Sequence, residues 1–145
     1  MTEQSQSYAN HPRFFALYHF FALPVLAFYA IYELVQLVRH PSVAAGGDAL
    51  VALAIAALAL AARAMPLTVQ DRLIRLEETM RMQRVLPAAQ QGDIARLQRK
   101  DFVALRFASD AELPELVRRT VAGELTSQKA IKQAIKDWRP DYFRA

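Results

Sequence analysis

The chain has 145 residues, 54% of them hydrophobic, no cysteine, and 18 Lys and Arg against 14 Asp and Glu for a formal charge of +4. The lack of cysteine excludes a disulfide-built module and a Cys-ligated zinc or iron–sulfur centre, and the apolar share excludes a long disordered chain. The apolar residues are also unevenly placed, because residues 14–62 hold only three formal charges, Glu33, Arg39 and Asp48, a pattern foreign to an ordinary globular domain.

Residues 1–13 read as an N-terminal cytoplasmic segment. The run from Phe14 to Val38 is 25 residues with one charge, which at ~1.5 Å per residue exceeds a ~30 Å hydrocarbon layer and predicts a spanning helix. Its length, Glu33 and the single preceding arginine set it apart from a cleaved secretory signal. Pro24 removes a backbone donor, frees the Phe20 carbonyl and predicts a kink between His19 and Tyr29.

At 100° per residue, Tyr18, His19, Tyr29, Gln36 and His40 fall within ~60° of Glu33, forming a polar stripe on an otherwise apolar helix. A carboxyl roughly 9 Å from the helix midpoint costs on the order of 2–3 kcal/mol to insert unless it is neutral or paired. The following apolar run offers no partner except Asp48 at its mouth, so Tyr29, Glu33 and Gln36 are the expected contact with another subunit. That subunit is either a second copy or another membrane protein. His19 is the one candidate cofactor ligand, through a ring nitrogen. No second histidine lies at its depth in the chain, so no cofactor and no metal are expected.

Arg39-His40-Pro41-Ser42 through Gly46-Gly47-Asp48 reads as the turn of a hairpin, since Pro41 stops a helix and paired glycines add freedom. The second span, about 45–65, is alanine-rich, with nine alanines among residues 49–64. Insertion then rests on Leu50, Val51, Leu53, Ile55, Leu58 and Leu60, while Ala52/Ala56 and Ala57/Ala61 allow close helix approach. Arg39 is the only Lys or Arg of the turn, whereas Arg63, Arg72, Arg75, Arg81 and Arg84 crowd the exit of the second span. This asymmetry predicts cytoplasmic termini on both sides of the hairpin. The hairpin thus occupies about 14–65 and a helical cytoplasmic domain 66–145.

The whole basic excess lies in that domain, with 15 Lys and Arg against 11 Asp and Glu from Pro66 onward. Thr68-x-x-Asp71 predicts a capped helix over about 68–86, with Asp71/Arg75 and Glu77/Arg81 as i,i+4 pairs. Val69, Leu73, Leu76 and Met80 follow coiled-coil spacing for under three heptads before Pro87, so the stripe is expected to pack on the following helices. Past Pro87 and Gly92, the residues Ile94, Leu97, Phe102, Val103, Leu105 and Phe107 supply a small core in one or two short helices. Ser109-x-x-Glu112 predicts a capping box for a helix with Leu113, Leu116, Val117 and Val121 on one face, ending near Gly123; Pro114 is an alternative start. Thr126 or Ser127 caps a last helix with Ala130, Ile131, Ala134, Ile135 and Trp138 on one face and Lys129, Lys132 and Lys136 on the other. Those lysines are the candidate contacts to anionic lipid. No segment alternates with period two long enough for a strand, so the expected class is an all-α membrane protein.

Catalysis lacks its parts. No phosphate loop, His-Glu-x-x-His motif or nucleophile elbow is present, and capping accounts for Asp110 and Glu112. No base-reading set precedes the lysines, so a nucleic-acid partner is not expected.

Four phrases carry a resemblance: Asn10-His11-Pro12-Arg13 with Tyr18-His19-Phe20 and Pro24; Gln70-Asp71-Arg72-Leu73-Ile74-Arg75-Leu76-Glu77-Glu78; Ala104-Leu105-Arg106-Phe107-Ala108-Ser109-Asp110 with Glu112-Leu113-Pro114-Glu115-Leu116; and Ile131-Lys132 through Trp138-Arg139-Pro140-Asp141-Tyr142. Together they resemble an uncharacterised family of small bacterial proteins, a domain of unknown function with two spanning helices and a helical cytoplasmic tail. The resemblance covers nearly the whole chain and implies a bacterial plasma (inner) membrane, with no activity to carry over. It draws attention to Arg72, Arg75, Arg106 and Asp110 as a buried salt-bridge network. The function expected is a non-catalytic scaffold or accessory subunit in contact with membrane lipid and with a partner or its own copies. The alternative is a regulatory module whose cytoplasmic helices bind anionic lipid or a soluble protein.

Overall fold

A computed structural model describes residues 7–8 and 14–141. Most of the segment 1–13, including His11, and the chain from Tyr142 onward lie outside the described residues. The chain divides into two compact units, Arg13–Leu67 and Thr68–Ala145 together with Met1–Pro12. Among the described residues there is no strand, only an isolated bridge between Ala108 and Trp138.

The first unit opens with a π-helical turn, Leu17–Ala22, that runs into α1, Leu23–Arg39, with Pro24 in its first turn. Pro24 has no N–H and its ring would crowd the Phe20 carbonyl in a regular α-helix; the wider π turn, in which the Leu23 N–H reaches the Tyr18 carbonyl, relieves that crowding. Where a kink between His19 and Tyr29 was expected, the helix carries a widened turn at Leu17–Ala22. It also breaks the 100° count that set Tyr18 and His19 on the Glu33 stripe.

The turn is shorter than the sequence suggests. Residues 40–42 alone separate α1 from α2, Val43–Val85, because Ser42 Oγ caps the new helix by accepting the Ala45 N–H at 3.1 Å. Gly46, Gly47 and Asp48 are helical. Both apolar helices are long enough to cross a membrane: Leu17–Arg39 by its 23 residues, and the apolar part of the 43-residue α2. Where two helices were expected, about 45–65 and 68–86, there is one. Pro66 lies inside it, so the chain does without one backbone hydrogen bond there rather than break the helix. Thr68 is accordingly an interior residue and not a cap.

The seam of this unit is built from small residues. Ala49 and Ala52 are buried on α2 and Ala30 on α1, while Ala45, Gly46, Ala56 and Ala59 are half-buried at the same helical spacing. Ala52/Ala56 lies on that face; of the second expected pair, Ala57 is exposed.

In the second unit α2 meets a 3₁₀ helix, Ala88–Arg96, and the short helices α3, Arg99–Leu105, α4, Leu113–Val121, and α5, Gln128–Ala134. Phe102, Phe107, Met82, Leu105, Leu113, Ile131 and Val117 are fully buried. The Gln98 and Asp101 side chains form a capping box on α3. The box expected at Ser109 is not formed: Ser109 Oγ is buried without a hydrogen-bond partner, and α4 starts with Pro114 in its first turn. Glu112 instead accepts the Lys136 and Asp137 amides at 3.1 and 3.0 Å, tying the C-terminal strap to α4. Ser127, rather than Thr126, caps α5 through the Ala130 N–H.

The largest correction concerns α2. Val69, Leu73, Leu76 and Met80 are all exposed, and the face that packs on the small helices carries Ile74, Glu78, Arg81 and Met82. The i,i+4 pairs are likewise replaced: Arg81 pairs with Glu78, and Asp71 with Arg99 at 3.8 Å.

Candidate functional site

Two polar constellations stand out, one in each unit. In the first, Glu33 and Gln36 are half-buried on the α1 face that also carries Ala30, and Tyr29 is exposed beside them. The Tyr29 hydroxyl interacts with the Glu33 carboxyl and, more weakly, with Asp48 near the start of α2. Among the described residues no Lys, Arg or His pairs with Glu33. The three predicted contact residues are thus brought together, at the edge of the seam rather than squarely outward.

Tyr18 and His19 are engaged elsewhere. The Tyr18 hydroxyl donates to the Ala59 carbonyl at 2.7 Å, which clamps the π turn onto α2. His19 Nδ1 lies 3.1 Å from the Phe15 amide nitrogen and 3.0 Å from the Phe15 carbonyl oxygen, and the ring tautomer sets which of the two it bonds. The His19 ring packs edge-on against Phe14 and Tyr18. These contacts engage Nδ1 and the ring of His19 within its own helix end. Among the described residues no group of three or more His, Asp or Glu could hold a metal.

In the second unit Arg81 is the hub. Its side chain is 5% exposed and donates to Asp110 Oδ1 at 2.7 Å, to Glu78 Oε2 at 3.0 Å and to the Ala108 carbonyl at 2.7 Å. Arg139 reaches the other Glu78 oxygen at 3.2 Å. Arg106, also buried, lies 3.2 Å from Asp141 and stacks over Phe107. An open cleft of about 520 Å³ runs beside this cluster, its wall including Leu73, Glu77, Met80, Arg84 and Pro140.

The predicted network is therefore partly realised. Asp110 belongs to the Arg81 cluster, Arg106 pairs separately with Asp141, Arg75 stacks over Phe102 instead, and Arg72 is exposed. Glu78 and Arg81, the centre of that cluster, were not legible: Arg81 was expected to pair with Glu77 on an exposed face, and both Glu78 and Arg81 are buried on the face that packs. The only available signal was Asp110, whose partner had to come from another element.

The hydrogen bond from Arg81 holds the Asp110 carboxyl below the usual carboxylate range. Burial opposes that effect, and the charges of Arg81, Arg139 and Arg84 add to it. A depressed folded-state value stabilises the fold above the ordinary carboxylate range, and the contribution is lost as pH falls through the depressed value. Emission from Trp138, the only tryptophan, should report unchanged stability from pH 7 to 5 and a loss below about pH 4. Asp110→Asn should flatten that acid limb. An equally steep limb in the variant would contradict the assignment.

The lysine face is not formed as predicted. The helix α5 ends at Ala134, so Lys136 lies beyond it, while Lys132 sits over the Phe107 ring at 5.4 Å and Lys129 is exposed.

A family model described as a family of unknown function, DUF6526, matches residues 1–145. No curated protein and no solved structure matches the chain.

Proposed function

For a chain that belongs to the DUF6526 family, whose function is unknown, we propose a non-catalytic role as a membrane scaffold or accessory subunit. The two apolar helices form a hairpin in a bacterial inner membrane, both termini are cytoplasmic, and the arginines that follow the second span hold that orientation. The helical unit 68–145 is then a compact cytoplasmic platform. Its buried charges are consumed by internal pairs, which fits a structural part better than a reaction centre.

One observation carries the reading: Glu33, inside an apolar helix, has only the neighbouring Tyr29 hydroxyl beside it and no cationic partner among the described residues. An unpaired carboxylate at that depth costs on the order of 2–3 kcal/mol on insertion scales, a cost that a donor from another subunit would offset. Capture of the tagged full chain from its own membrane in mild detergent should therefore co-isolate a second copy or a partner membrane protein. Glu33→Leu should remain in the membrane fraction and lose that associate. An unchanged associate in the variant would remove Glu33 from the contact, and a chain isolated alone would sink the reading.

A further inference from the structure

Among the described residues the apolar stripe on α2 is exposed. Val69, Leu73, Leu76 and Met80 are 66, 52, 58 and 60% exposed, and at 100° per residue their common direction lies about 150° from that of Ile74, Glu78, Arg81 and Met82, the face that packs on the core. Four large apolar side chains at spacings of four, three and four describe the seam of a coiled coil. We propose that this stripe pairs with the same stripe of a second copy, in parallel and in register; the proposal deepens the association reading above and rests on it.

Charge selects both the occupant and the direction. With Val69 and Leu76 at d positions and Leu73 and Met80 at a positions, Arg72 falls at g and Glu77 at the following e. In a parallel pair, g of one helix meets the following e of the other, so Arg72 faces Glu77 twice by symmetry. An antiparallel pair would set arginine near arginine and glutamate near glutamate. Both side chains are exposed in the single chain, and no ion pair between them is formed within it. The stripe spans 12 residues, or about 18 Å, too short to hold two free peptides together. Here the helix is already ordered by its core face, and confinement of the copies to one membrane raises their effective concentration, so a short seam suffices.

The cysteine-free sequence allows a direct test in membranes holding the full chain. Val69→Cys, Leu76→Cys and Met80→Cys each place a thiol in the seam, and Arg75→Cys places one on the same helix away from it. Under mild oxidation the first three should shift from 16.3 kDa to a band of twice that mass, and Arg75→Cys should not. Arg72→Glu in the Leu76→Cys background should lower the dimer yield roughly five- to tenfold, with recovery when Glu77→Arg is added.

Cross-linking at only one seam position, equal cross-linking at residue 75, or an adduct of another mass would overturn the parallel pair. So would an absence of any adduct; quenching by brominated lipid of a fluorophore attached to the Leu76→Cys thiol would then assign the stripe to the bilayer surface. A chain that still associates in detergent yet forms none of these cross-links keeps the association reading and loses this one; a chain that does neither loses both.

Discussion

Replacing Arg81 with methionine is expected to destabilise the C-terminal helical unit by about 3–5 kcal/mol, the range for removing one partner of a buried ion pair. The guanidinium is almost fully enclosed and satisfies three acceptors at once, Glu78, Asp110 and the Ala108 carbonyl. Its loss leaves the Glu78 carboxylate, 5% exposed, with only the half-exposed Arg139. It also strips a buried carbonyl of its donor, which alone costs about 1–3 kcal/mol. Urea unfolding of the full chain in mild detergent, followed by Trp138 emission, should show the loss as a lower midpoint. Arg81→Met combined with Glu78→Leu should recover much of it, because the double change removes the stranded charge together with its partner. Arg81→Lys should not recover it, since a single ammonium cannot reproduce the fork that serves Glu78 and Asp110 together. A methionine variant within about 1 kcal/mol of the parent would show that the cluster is not a keystone of the unit.

Phe107→Ala should cost a similar amount, about 3–5 kcal/mol, from lost burial and the cavity left behind. Phe107 is fully buried, packs against Trp138 with ring centroids 5.2 Å apart and lies under both the Arg106 guanidinium and the Lys132 ammonium. Its carbonyl also accepts the Arg139 N–H at 2.8 Å, and the neighbouring Ala108 bridges Trp138, so the ring sits where the C-terminal strap is fastened to the core. The alanine variant should shift Trp138 emission toward that of exposed indole even before unfolding. Phe107→Leu keeps most of the volume and should lose only about 1–2 kcal/mol, chiefly the ring contacts. Equal effects of leucine and alanine would mean that the stacked rings, not the volume, fasten the strap.

How far the fold was legible depended on what each signal measures. The two apolar runs announced two long helices because length and hydropathy depend only on the local chain. The extent of α2 was missed because Thr68-x-x-Asp71 was read as the start of a new helix, whereas the chain runs on through Pro66 at the cost of one missing hydrogen bond. Periodicity correctly placed a helix over residues 68–85 but pointed to the wrong side of it. A hydrophobic stripe identifies a face, and here the face that packs includes Glu78 and Arg81, whose burial is offset by mutual pairing that a hydropathy pattern cannot register. Ser109-x-x-Glu112 failed for a related reason: both a local cap and the distant amides of Lys136 and Asp137 compete for Glu112, and the distant pair holds it. The polar residues of the first span were found from the sequence because a carboxyl in an apolar run is conspicuous wherever it points. That Tyr18 and His19 would be diverted to Ala59 and Phe15 depended on the π turn, which no count at 100° per residue could contain.

The family of this chain has no known function, and association with a second copy or a partner is what defines the proposed role. Native mass measurement of the untagged full chain, released from its own membrane in mild detergent, tests it most directly. The account predicts particles in which the 16.3 kDa chain is bound to a second copy or to another membrane protein, with Glu33→Leu reducing their share. A single 16.3 kDa species at the concentration found in the membrane, unchanged by that substitution, would contradict it.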